Sequence, residues 1–143
     1  MSSGIYNRFK YNLMVAKADL DEVSGDGVDT IKCALLTNAH SFDTDHNEWG
    51  EISANEASGA GYTTGGAIIS NLVVTQDNVN NKAVFDADDV TWSSSTITAK
   101  YAVLYDVTQG TNLIACFDFG SDYSSSNGNF TVQWNASGII TLS

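Results

Sequence analysis

The 143 residues carry 17 acidic and 6 basic side chains, a formal net charge of −11. Six cations are too few to neutralise a phosphate backbone against that field, so nucleic acid is not expected as a partner. No apolar run approaches the roughly 20 residues of a membrane-spanning helix, and MSSGIYNRFKYNLMVAKADL at the start lacks the apolar stretch of a secretory signal. The expectation is a chain that begins in a cytoplasm and has no membrane partner.

Ser, Thr and Asn together supply 42 residues, while charged residues are only 16%. The polar surface is therefore built mainly from short uncharged side chains, which favour strands and turns over helix interiors. With no Pro and 12 Gly, tight turns fall to Gly, Asn and Asp. An all-β class follows.

Residues 1–17 hold Arg8, Lys10 and Lys17 and no acid, so they carry +3 against −14 for the remainder. Within them Ile5, Phe9, Leu13 and Ala16 recur at helical spacing with Tyr6 beside them, which predicts a short amphipathic helix over residues 4–18. Its apolar stripe needs a surface: the chain's own sheet, or a neighbouring subunit or acidic partner. An acidic break with Gly, DLDEVSGDGVD (19–29), follows. TIKCALLT (30–37) is too short an apolar run for a helix and reads as a buried strand. Residues 38–66 show no sustained period and are dense in Asn, Asp, Ser and Gly. A stretch of that length without regular structure is unusual in a compact domain and is the place to look for a binding surface.

From residue 67 the pattern is short strands and turns: AIISNLVVT (67–75), KAVFD (82–86), DDVTW (88–92), TITAKYAVLYD (96–106), NLIACFDFG (112–120), FTVQWN (130–135) and IITL (139–142). With 30–37 this makes eight strands, a count that suits an antiparallel β-sandwich or jelly roll. No second amphipathic helix is present to make parallel crossovers. Two parts are expected: a helical arm and linker over residues 1–28, and a β-sandwich domain over 29–143.

The candidates for chemistry are few. Cys33 and Cys116 each sit in an apolar strand without zinc-ligand spacing, and read as small buried thiols or a disulfide between neighbouring strands. His40 and His46 flank SFDTD with no nucleophile motif, and read as solvated loop residues or a general base. Asp43, Asp45 and Asn47 follow the D-x-D-x-N spacing of a calcium loop, but the sixth and twelfth positions hold Glu48 and Ala54 where Gly and Glu are required. They are weak calcium candidates, and no metal or other cofactor is expected. Asp86, Asp88 and Asp89 read as turn formers, with paired catalytic carboxylates as the remote alternative. Trp92 and Trp134 lie among alternating apolar residues and read as core, whereas Trp49, between Asn47 and Gly50, is the aromatic expected to meet a partner or plug one end of the fold.

Several segments carry a resemblance: YNRFK (6–10), DTIKCALLTNAHSFDTD (29–45), SANEASGAGYTTGG (53–66), KAVFDADDVTWSSSTITAKYAVLYD (82–106) and LIACFDFGSDYSSSNGNFTVQWNASGIITL (113–142). Across most of its length the chain resembles a family of small β-rich structural proteins encoded by tailed bacteriophages and prophages. The resemblance implies a non-enzymatic virion component, a capsid decoration (cement) protein or a head- or tail-fibre-associated protein. It supplies no catalytic residues. The Gly-rich SGAGYTTGG would let the backbone turn sharply or approach a neighbouring chain. Two departures are the cysteines, at strand positions expected to hold ordinary small apolar residues, and the long segment 15–28 between helix and first strand.

On this reading the partners are the phage major capsid protein or other virion subunits, with the chain as a homotrimer whose symmetry multiplies a weak patch. The expected contact residues are Tyr6, Arg8, Phe9, Lys10 and Leu13 of the N-terminal segment and Phe42, Trp49 and Tyr62 of the long loop. The other reading is a tail or fibre component that recognises host-surface glycan or receptor through Trp49 and neighbouring Asn and Asp side chains. An enzyme, such as a glycan depolymerase, ranks third.

Overall fold

The computed structural model describes residues 3–22 and 27–143. The protein is mostly β, with antiparallel sheets and one helix, as its composition suggests. Part of the acidic break, residues 23–26, lies outside the described residues, as do the first two residues of the expected arm.

Ten strands are described: β1 (Gly4–Ile5), β2 (Ile31–Leu36), β3 (Ala67–Ile68), β4 (Val73–Asp77), β5 (Lys82–Asp86), β6 (Val90–Ser95), β7 (Thr98–Asp106), β8 (Asn112–Ser124), β9 (Gly128–Val132) and β10 (Ile140–Leu142). They form a five-stranded sheet ordered β1-β8-β7-β2-β3, a three-stranded sheet ordered β10-β5-β4, and a two-stranded sheet of β6 and β9. The helix α1 runs only over Asn7–Met14.

Three differences from the expected elements have physical causes. The helix is shorter than 4–18 because Ile5 pairs with Ala115 in β1, and Ala16 adopts a left-handed φ of 57° that ends the turn. Its buried residues are Phe9 and Asn12 rather than the Ile5, Phe9, Leu13 and Ala16 stripe. The run 67–75 is two strands, since Asn71 at φ 55° turns the chain out of the large sheet and into the three-stranded one. Finally β8 continues to Ser124, past the glycine at which the apolar pattern stops.

With no Pro, turns are closed by short polar side chains. In the β4–β5 hairpin, Asp77 Oδ1 accepts from the backbone N–H of Val79 and Asn80 at 3.1 Å each, and Asn81 takes a left-handed φ.

The large sheet is buried on both faces, which explains why the last six residues of β7 are all buried rather than alternating. One face presents Cys33, Leu35, Ala102, Leu104, Ile114 and Ala115 to a core shared with Phe85 of β5, Trp92 of β6, Phe130 and Val132 of β9, and Phe9 of α1. The opposite face presents Ala34, Leu36, Tyr101, Val103, Tyr105, Leu113 and Cys116 to Tyr6, Phe42, Trp49 and Ile52. A bulge keeps the two sets in place: Leu104 pairs with Ala115 but Tyr105 with Leu113, so Ile114 and Ala115 share a face.

That second core takes Phe42, Trp49 and Ile52 of residues 38–66, while Ala57 and Tyr62 pack on the first. The segment lays two short 3-10 turns, Trp49–Glu51 and Ser53–Asn55, over the sheet. Its glycines serve close approach within the chain: a Cβ on Gly66 would collide with the backbone carbonyl of Cys33, and one on Gly59 with that of Thr96, both at positive φ.

Candidate functional site

The expected contact residues separate into an interior group and a surface group. Tyr6 is fully buried, edge-on to Phe42 at 5.2 Å, with its hydroxyl facing the Cys116 thiol. Burial pushes that phenol well above its ordinary value, so it acts as a neutral packing group. Phe9 is buried in the first core. Both were expected at an interface; the chain's own sheet takes them, because β1 anchors the N-terminal segment along β8.

Phe42 and Trp49 are half-buried against the second core. The Trp49 ring stacks on Tyr105, and the backbone N–H of Trp49 donates to the Thr111 carbonyl at 2.9 Å. Tyr62 is a tie inside the long segment. Its hydroxyl accepts from Leu35 N–H at 3.1 Å and donates to Glu56 Oε1 at 2.7 Å, and the same oxygen accepts Gly65 N–H at 2.6 Å. Burial, first of all, raises the Tyr62 phenol above its usual range.

Asp43, Asp45 and Asn47 do come together, in a turn that fastens the long segment to the helix. Asp43 Oδ1 accepts Asp45 N–H at 3.0 Å, and Asp45 Oδ1 accepts from Asn7 Nδ2 at 2.8 Å. Asn47 Oδ1 accepts from Arg8 Nε at 3.3 Å. One oxygen of each of the three side chains thus serves a neighbour within the chain, and the Arg8 guanidinium stands beside Asn47. Next to the turn, Glu51 accepts the N–H groups of Asn47 and Glu48, which hold its carboxyl below the ordinary carboxylate range.

His40 is buried at 4% exposure, edge-on to Tyr101 at 5.1 Å and 6.4 Å from His46, rather than solvated. Burial, with His46 second, lowers its pKa. Cys33 and Cys116 belong to opposite faces of the sheet, on strands separated by β7, too far apart for a disulfide. The acidic residues near β5 and β6 bind loops. Asp88 Oδ2 accepts from Asn71 Nδ2 at 2.5 Å, Asp89 Oδ1 accepts Trp134 N–H at 2.9 Å, and Trp134 Nε1 donates to the Asp88 carbonyl at 3.0 Å. Trp134 is half-buried against Phe117.

A carboxyl pair escaped sequence reasoning. Asp29 and Asp106 face each other, 5% and 1% exposed, at the ends of β2 and β7. Gln109 serves both, its N–H donating to Asp106 Oδ1 at 3.0 Å and its Nε2 to Asp29 Oδ1 at 3.2 Å. Burial, then the Asp29 carboxyl, pushes Asp106 up to about 7. Only the strand register brings residues 77 positions apart into contact.

What remains at the surface is the end of the helix. Lys10 is exposed, reaching Asn7 Oδ1 at 3.3 Å. Leu13 is 38% exposed, and beyond it Met14 at 89% and Val15 at 43% were missed by the sequence reading. Leu13 also lines an apolar groove of about 320 Å³ with Leu20, Val74, Phe85, Ile140 and Leu142. Here the apolar end of the helix meets the inner side of the three-stranded sheet, with Asp19 and Asp21 as the charged residues of the groove. No family model matches the chain, and neither the curated proteins nor the solved structures compared with it give a match.

Proposed function

We propose that the chain is a non-enzymatic structural subunit of a tailed-phage virion, a decoration protein that binds the outer shell as a symmetric homotrimer. The five-stranded sheet facing the two smaller sheets across one core is, on this reading, a jelly-roll-like β-sandwich. The observation that carries the proposal is the exposed run Leu13, Met14 and Val15 beside an apolar groove, at the end of the one stretch of net positive charge. Clustered apolar exposure of this kind marks protein contact surfaces, and its rim carries both signs of charge, Lys10 and Lys17 flanking the run in sequence and Asp19 and Asp21 lining the groove. Residues 38–66 then serve mainly as a cover that stiffens the sheet. Avidity across three copies supplies affinity that one small patch lacks.

The test uses exposed positions, since Tyr6 and Phe9 belong to the core. Purified protein is added to phage heads assembled without it, and occupancy is read after sedimentation. Saturable binding is expected, with at least a tenfold loss in the Leu13→Asp, Met14→Asp double variant. Light scattering should give three protomer masses. Undiminished occupancy in the variant, or no binding by the parent, overturns the proposal.

A further inference from the structure

The end of β8 and the edge of β9 enclose an open groove of about 540 Å³, a small-ligand size. Among the described residues β9 pairs only with β6, so its other edge faces this space. In a chain with 17 acidic side chains, none of the residues lining the groove is charged at neutral pH. Instead it is lined by Phe119, Tyr123, Asn129 and Gln133, with hydroxyls from Ser124 and Thr131.

The aromatic wall is continuous with the core. Tyr123 meets Phe119 edge to face at 6.1 Å, and Phe119 packs at 6.3 Å on Phe130, which is rooted in the first core. Tyr123 is nevertheless 56% exposed, leaving ring surface open. The polar side is partly uncommitted. The Ser124 and Thr131 hydroxyls already bond Thr98 and Thr91 across their ladders. The side-chain amides of Asn129 and Gln133 have no partner among the described residues. Asp122, the nearest acid in sequence to Tyr123, is drawn away to Asn38 Nδ2 at 2.9 Å.

We propose that this groove binds a neutral oligosaccharide. A sugar ring offers a face of C–H groups and a rim of hydroxyls that both donate and accept. The face matches an exposed phenol ring, and the rim matches amides, each with two donors and one acceptor oxygen. A lining without charge leaves no ion to desolvate when a neutral ligand enters, while the surrounding acidity repels anionic polymers. The groove is remote in sequence from Leu13 and Met14, so this proposal stands or falls separately from shell binding.

The experiment titrates the intact protein with maltoheptaose, cellohexaose, chitohexaose and a galactan fragment, with hyaluronan and polygalacturonate as anionic comparators, read by amide chemical shifts. At least one neutral oligosaccharide should saturate, with shifts centred on residues 119–133, and neither anionic polymer should bind. Tyr123→Ala should weaken binding at least tenfold, as should the Asn129→Ala, Gln133→Ala double variant. Tyr123→Phe should stay within about threefold of the parent, and Tyr11→Ala, a similarly exposed tyrosine on α1, should bind as the parent does. Failure of all four neutral sugars, or binding that survives Tyr123→Ala in a folded protein, overturns the proposal. So does self-association through the β9 edge that Tyr123→Ala abolishes while sugars have no effect.

Discussion

Trp49 lies flat on Tyr105, the two ring planes 7° apart and their centroids separated by 4.9 Å. The stack joins the long segment to the middle of the large sheet, and the Tyr105 hydroxyl extends the joint by donating to the Gly65 carbonyl at 2.6 Å. Losing the indole removes apolar contact and leaves space above Tyr105. Trp49→Ala should therefore destabilise the protein by about 2–3 kcal/mol in urea denaturation, with Trp49→Phe recovering at least half. A loss below about 0.5 kcal/mol would show that the segment is not bound to the sheet through this ring.

Two glycines separate backbone strain from collision. Gly27 has φ 95° with nothing near its missing Cβ among the described residues, whereas Gly66 has φ 80° and the Cys33 carbonyl in the way. Gly27→Ala should cost about 1 kcal/mol, the left-handed penalty alone. Gly66→Ala adds displacement of a central strand and should cost at least about 2 kcal/mol more. Equal melting temperatures for the two variants would contradict the close approach.

The Asp29–Asp106 pair should set the pH dependence of stability near neutrality. Asp106 holds its proton up to about pH 7 in the native state but releases it near 3.8 when unfolded. The native state therefore binds more protons between those values, and its stability falls as pH rises from about 4 to 7 and then levels. Asp106→Asn keeps an acceptor for the Gln109 N–H and removes the titration. Relative to the parent it should gain about 1–3 kcal/mol at pH 8 and little at pH 4. A parent-minus-variant difference that does not change with pH would sink this assignment.

His40 acts with the opposite sign. Its native pKa lies below the ordinary 6.5, so the unfolded chain takes up a proton that the native state refuses. Its contribution is complete above about pH 6.5 and is lost as the solution is acidified below that value. His40→Gln should lack this acid loss, visible as a flatter melting temperature between pH 6.5 and 5. An imidazole resonance titrating at or above 6.5 in the native protein would be the contrary result.

Much of the local structure is legible in the sequence because it is set by local pattern. KAVFD becomes β5 at its expected bounds, and TIKCALLT becomes β2 with one residue trimmed at each end. What is not legible depends on distant partners. Ile5 leaves its helical register because β8 offers it an edge, and 67–75 divides at one left-handed Asn that periodicity does not reveal. Residues 38–66 lack a period because their apolar members, Phe42, Trp49, Ile52 and Ala57, meet a surface made by other strands. The aromatic groove was hidden for a similar reason. Tyr123 lies in a Ser-rich stretch that reads as loop, and only the continuation of β8 past Gly120 sets it beside β9. Phe119 and Tyr123 flanking a glycine were the available hint.

The placement of one thiol on each side of the large sheet gives the molecule two internal reporters. Burial raises both, Cys116 to about 12, so neither is a reactive thiolate while its surroundings stay shut. An alkylating reagent would modify Cys33 only after the sheets part, and Cys116 only after the long segment and the Tyr6 anchor lift. Matching modification rates would mean that the protein opens as one cooperative unit; a faster Cys116 would identify the long segment as a hatch that swings while the rest holds.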